Sequence, residues 1–129
     1  MNLILNSIII FVHDVNELKN FYTDKLNLEL VEEIRSEWVV LKAGQFTIAL
    51  HRVGDQYRSL EPGLKVNNNT KVVFEVDGDI FSLREILLQK GVNIGAIKTF
   101  DNYNYWLCDG EDPEGNVFQL KQKKTTGLQ

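Results

Sequence analysis

The feature that most constrains this chain is that it says the same thing twice. Ile8, Ile10 and Val12 alternate with Ile9, Phe11 and His13, the period of a strand. Asp14 then offers a helix N-cap, and Val15, Leu18, Tyr22 and Leu26 recur at helical spacing. Asn27 follows, a residue that tolerates the left-handed conformation in which helices often end. The second half repeats the script. Val72, Phe74 and Val76 each stand 64 positions after Ile8, Ile10 and Val12. Asp79 is the cap, Ile80, Leu83 and Leu87 form the stripe, and Gly91 ends the helix, 64 positions after Asn27. The caps are 65 apart, which one extra residue in the strand-to-helix turn, Gly78, accounts for.

Each helix is followed by segments that suit three strands. These are roughly 29–35, 37–42 and 45–52 in the first half, and 92–100, 103–109 and 117–122 in the second. Each half is therefore βαβββ, and the class is α+β. The expected organisation is one domain: a first module over 3–52, a linker over 53–69, a second module over 70–122 and a tail over 123–129. Gly54, Pro62, Gly63 and the run Asn67-Asn68-Asn69 give the linker its composition. A chain of 129 residues with 43% hydrophobic content can bury one core without disulfides.

Charge removes some functions. A formal −4 argues against a nucleic-acid or anionic-membrane partner, and Lys121, Lys123 and Lys124 read as a solvated end. The apolar run 8–12 is far too short to span a bilayer, and no secretory leader is expected. The single cysteine, Cys108, cannot form an internal disulfide and suits a core position. A cytoplasmic location is the simplest expectation.

Several local motifs resemble a known family. Val12-His13-Asp14, then Phe21-Tyr22, then Leu26-Asn27-Leu28, is similar to the strand, capped helix and helix end of the vicinal-oxygen-chelate superfamily, with Asn27 where that family usually has Gly. Phe74-Glu75-Val76 resembles the strand that opens its second module. Asp112-Pro113-Glu114-Gly115-Asn116, followed by Val117-Phe118-Gln119-Leu120, resembles its last turn and final strand. This is the group of glyoxalases, bleomycin-resistance proteins and extradiol dioxygenases. The resemblance covers about residues 3–122. It implies two βαβββ modules forming a curled mixed sheet, a cup with the helices outside.

In catalytic members, as the resemblance implies, that cup holds a divalent metal on the first and last strand of each module. The corresponding positions here are Ser7, Ala49, Lys71 and Gln119. Alanine has no donor atom, lysine is a cation at neutral pH, and serine is a poor ligand unless deprotonated. Only Gln119 suits a metal, so no metal and no cofactor are expected. His13, His51 and Glu75 share the inward parity, although both histidines also suit partly exposed strand ends. No Ser-His-Asp or Cys-His spacing suggests a nucleophile.

Without a metal the cup remains a place for a ligand. Strand parity turns Ser7, Ile9, Phe11, Ala49, His51, Lys71, Val73, Glu75, Val117 and Gln119 inward, with Trp38, Tyr103, Tyr105 and Trp106 on neighbouring strands. Parity lets only half of the run 103–106 face in, and these aromatics also suit simple sheet packing. A lysine such as Lys71 pointing into a partly apolar cup needs an anionic partner, either Glu75 or a ligand. The candidate ligand-binding residues are Ser7, Phe11, Trp38, His51, Lys71, Glu75, Tyr105, Trp106 and Gln119.

Three functions fit this pattern. The first is a metal-independent binder of a small organic molecule, similar to bleomycin-resistance proteins that hold a planar or cationic drug between aromatic side chains. The alternative is a metal-dependent enzyme of the family, lactoylglutathione lyase-like or a ring-cleaving dioxygenase, against which Ser7, Ala49 and Lys71 stand. The third is an accessory domain without a ligand. The resemblance and the open strand edges of a curled sheet also imply a homodimer, with Tyr57 and Leu60 of the linker as candidates for its interface or the ligand rim.

Overall fold

The local signals of the sequence are realised in the computed structural model, which describes residues 1–2, 4–54 and 70–125. Tyr57, Leu60 and most of the expected linker lie outside the described residues. The chain divides into two compact units, Met1–Lys65 and Val66–Gln129. The first carries β1 (Ser7–Val12), α1 (Val15–Asn20), a π-helical turn (Phe21–Lys25), β2 (Glu29–Ile34), β3 (Trp38–Ala43) and β4 (Phe46–Arg52). The second carries β5 (Lys71–Glu75), α2 (Ile80–Gln89), β6 (Asn93–Ile94), β7 (Tyr105–Glu111) and β8 (Val117–Lys123). Each is βαβββ.

Each unit is one mixed four-stranded sheet. The orders are β1-β4-β3-β2 and β5-β8-β7-β6, with the first and last strand of each module parallel and the remaining pairs antiparallel. The two sheets are the same topology twice, as the repeat requires.

Both caps form. The Asp14 carboxylate accepts from the Glu17 N–H at 3.0 Å, and that of Asp79 accepts from the Phe81 N–H at 3.1 Å and the Ser82 hydroxyl at 2.7 Å. These bonds hold the Asp79 carboxyl below its ordinary pKa, the Ser82 hydroxyl contributing most. The helix ends are left-handed as expected, with φ of 59° at Asn27 and 80° at Gly91. The first helix departs from expectation at its far end. After Asn20 it widens into the π turn, where the Leu26 N–H reaches back to the Phe21 carbonyl. That turn buries two neighbouring rings together, Phe21 and Tyr22, edge to face at 5.1 Å.

The register is the one the sequence predicts, and burial along the opening strands is uneven. Val12 is fully buried, Ile10 half-buried and Ile8 37% exposed. Val72, Phe74 and Val76 are half-buried, between exposed Lys71, Val73 and Glu75. The reason is placement of the helices. α1 packs over β3 and β4, and α2 over β6 and β8, while β1 and β5 are edge strands. The cores therefore centre on Leu18, Val39, Leu41, Ile48 and Leu50 in the first unit, and on Ile80, Leu87, Cys108, Phe118 and Leu120 in the second.

Two strands of the second unit also differ from expectation. The segment 92–100 keeps only a two-residue strand, continued by single contacts: Gly95 N–H to the Asp109 carbonyl and Lys98 bridged to Leu107. Gly95 has no side chain to pack there and weakens the strand. β7 begins at Tyr105 rather than Tyr103, because Asn102 turns the chain with φ of 63°.

The last turn is held by hydrogen bonds onto Asp112. Asp112, only 3% exposed, accepts from the backbone N–H of Glu114 and of Asn116, both at 2.9 Å, and from the Asn116 amide at 2.8 Å. The Asn116 side-chain amide thus donates to Asp112. Gly115, at φ 86°, closes the turn.

Candidate functional site

In each sheet one face is covered by its helix. On the other face of the first sheet the strand register stacks three rows: Ser7–Thr47–Lys42–Glu29, Ile9–Ala49–Val40–Glu32 and Phe11–His51–Trp38–Ile34. A β-bulge between Leu30 and Glu32 puts Glu32 and Ile34 on this face. Three candidate residues come together in the third row. The Phe11 and His51 rings are 5.4 Å apart and tilted, and Trp38 meets His51 edge to face at 5.7 Å. Phe11 is 61% exposed and Ile34 60%, so the row is an open aromatic strip. Ser7 shares the face but lies two rows away, roughly 13 Å along β1.

Two polar groups fix this corner. His51 Nδ1 stands 2.7 Å from the Arg52 carbonyl, which can only accept, so Nδ1 carries a hydrogen and donates it there. Trp38 Nε1 donates to the Glu32 carboxylate at 2.7 Å. Glu32 was not among the sequence candidates. The bulge at Val31 shifts the parity of β2, so alternation counted from Glu29 places Glu32 on the wrong face.

The second unit's open face is polar. Its rows are Lys71–Val117–Glu111, Val73–Gln119–Asp109 and Glu75–Lys121–Leu107. Lys71 finds an anionic partner, and it is neither of the two expected. Lys71 Nζ lies 2.7 Å from Asp109 Oδ2, whereas Glu75 stands four residues further along the same strand, roughly 13 Å away. Gln119 Nε2 donates to the other oxygen of Asp109 at 3.0 Å. Asp109 thus joins Lys71 and Gln119. Desolvation pushes its pKa up, but bonds from Lys71 and Gln119 and the charges of Lys71 and Lys98 outweigh this, leaving it below the ordinary value. Sequence reasoning missed Asp109; its inward parity relative to Gln119 was the available signal.

Tyr105 lies on this same face, with Lys121 Nζ 4.2 Å above its ring. Trp106 does not. As the next residue of β7 it turns to the helix side, where it packs edge to face on Phe81 at 5.3 Å and carries Lys124 over its ring. Cys108 is fully buried on that side too, and desolvation raises its pKa.

The residues at the family's ligand positions do not fit a metal. Ala49 offers no donor atom and Ser7 a neutral hydroxyl, while Lys71 and Gln119 both direct N–H donors to Asp109. Among the described residues no group of three or more His, Cys, Asp or Glu is arranged to hold an ion. No helix among them is long and apolar enough to cross a membrane.

This architecture has known counterparts. The family model of the Glyoxalase/Bleomycin resistance protein/Dioxygenase superfamily matches residues 4–120, and the chain belongs to that superfamily. No curated protein matches. Among solved structures it is similar to lactoylglutathione lyase from Agrobacterium tumefaciens, with 16% identity, TM-score 0.74 and 95% of each chain covered. It is also similar to the fosfomycin resistance protein FosX from Listeria monocytogenes, with 18% identity, TM-score 0.73, and 99% of this chain and 97% of that one covered. A third is an integron cassette protein from the mobile metagenome of V. cholerae, with 21% identity, TM-score 0.71, and coverage of 95% and 96%. At these identities the likeness is one of fold.

Proposed function

We propose that this protein is a metal-independent member of its superfamily that binds a small organic molecule. The observation that carries the reading is the exposed row Phe11–His51–Trp38, an aromatic surface whose polar atoms have fixed roles. Aromatic side chains flanked by a few placed polar groups are the usual form of a small-molecule site. Ser7 extends that face. On the second unit's face Lys71 and Gln119, both held by Asp109, offer polar contacts, and Glu75 and Tyr105 share that face. The metal-dependent lyase or dioxygenase reading is disfavoured by the donor set.

The test uses Trp38 as reporter. With Trp106→Phe, Trp38 is the only tryptophan, and a panel of flat organic molecules should include some that quench it saturably. Phe11→Ala should weaken them by roughly tenfold, as lost aromatic contact predicts. A silent panel contradicts the reading.

We also propose a cytoplasmic homodimer. β1 is the outer strand of its sheet, and its unpaired backbone edge is the kind that proteins cover. Light scattering at micromolar concentration should return twice 14.8 kDa; a mass of 14.8 kDa means a monomer.

A further inference from the structure

A second surface of the first unit lies on the helix side of its sheet, away from the open face. α1 packs over β3 and β4, and beyond it the helix side of the outer strand β2 borders a groove of about 530 Å³. Asn16 and Lys19 of α1 form one wall, and Glu33 of β2 with Arg35 of the following turn forms the other. Glu33 pairs with the buried Val39, which places it on the helix side. Bonds across the groove tie the two walls together. Lys19 Nζ lies 2.9 Å from Glu33 Oε2, and the Asn16 amide donates to the Ser36 hydroxyl at 3.0 Å. Ser36 is left-handed, with φ of 66°, and the Glu37 N–H closes the turn on the Ile34 carbonyl at 2.9 Å. Arg35 therefore stands on a hydrogen-bonded turn that is itself bonded to the helix.

Among the lining residues, donors outnumber acceptors. The Lys19 ammonium has spent one of its three N–H groups on Glu33, and the Asn16 amide one of its two on Ser36. Arg35 brings five more, and no carboxylate among the described residues pairs with it. Against these stands one lining carboxylate, Glu33, whose charge Lys19 already meets. We propose that this groove binds a phosphate group, free or as a monoester. A phosphate presents several acceptor oxygens and up to two charges. It can take the Arg35 fork on one side and the Lys19 ammonium with the Asn16 amide on the other. A carboxylate, with one charge and two oxygens, satisfies one wall only. The groove is larger than a phosphate alone, which leaves space for the body of an ester. Its residues are separate from those of the small-molecule face, so either assignment can fail without the other.

Phenyl phosphate, benzoate and inorganic phosphate, titrated into the full-length protein at constant ionic strength and followed by NMR, test this. Phenyl phosphate should shift the Asn16 side-chain amide and Arg35 Nε–H signals saturably. Benzoate should bind roughly tenfold more weakly, the scale of one lost charge-assisted contact. Arg35→Gln and Lys19→Gln should each weaken phenyl phosphate by about tenfold, the second also because it bares the Glu33 charge. Inorganic phosphate bound as tightly as phenyl phosphate supports free phosphate as the ligand, and weaker binding supports the ester. Absence of a saturable shift at Asn16 and Arg35 overturns the assignment. So does benzoate bound as tightly as phenyl phosphate, or binding unchanged in Arg35→Gln or Lys19→Gln.

Discussion

Gly110 is the residue where packing leaves no freedom. A Cβ placed there would come within 2.4 Å of the Phe118 ring, which is fully buried. The ring has no room to give, so Gly110→Ala should cost about 1–3 kcal/mol in chemical denaturation. A variant as stable as the wild type would mean that the ring is not seated there. Asp109 is the residue whose charge should be visible in a pH profile. Its folded pKa lies below the ordinary value, so its contribution to stability is complete above about pH 4 and is lost as pH falls through the depressed value. The stability gap between wild type and Asp109→Asn should therefore narrow on acidification from about pH 5 to 2. A gap constant over that range would contradict the Lys71–Asp109–Gln119 arrangement.

At the scale of elements, the strand register makes the sharpest demand. Val12 is fully buried on the helix-covered face, whereas Ile9 is 47% exposed on the other. Val12→Asp should destabilise the first unit by about 3 kcal/mol or more, because it buries an unpaired charge. Ile9→Asp should stay within about 0.5 kcal/mol. The reverse order in urea titrations would mean that β1 is slipped by one residue. The register was legible in the sequence because alternation, cap and helix end occur twice with a constant offset. The caps Asp14 and Asp79 and the left-handed Asn27 and Gly91 were legible for the same reason. What alternation misses is any place where the period breaks. The bulge at Val31 hid Glu32, the left-handed Asn102 moved the start of β7, and Gly95 cut the sixth strand short. Of the candidate site, Phe11, Trp38 and His51 were each named from the sequence, but that they share one row follows only from the strand register. Trp106 was placed with the ligand residues although its neighbour Tyr105 already held that face, and one residue along a strand reverses the side chain.

For the whole molecule, the account joins a superfamily fold to the proposal that the protein works without a metal. In the first unit Ser7 and Ala49 supply no charged donor, and in the second Lys71 and Gln119 direct their N–H donors to Asp109, so neither face by itself offers what an ion needs. Exchange of Lys71 for a cation's partner is not a small change, since its ammonium already balances Asp109 at 2.7 Å. The most direct measurement is elemental analysis of the purified full-length chain after dialysis against iron, manganese, nickel and zinc in turn. The account predicts retention well below stoichiometric for every metal, about a tenth of an equivalent or less, as expected for a site lacking ligands and charge. One equivalent of any of them, lost on Gln119→Ala, would contradict it.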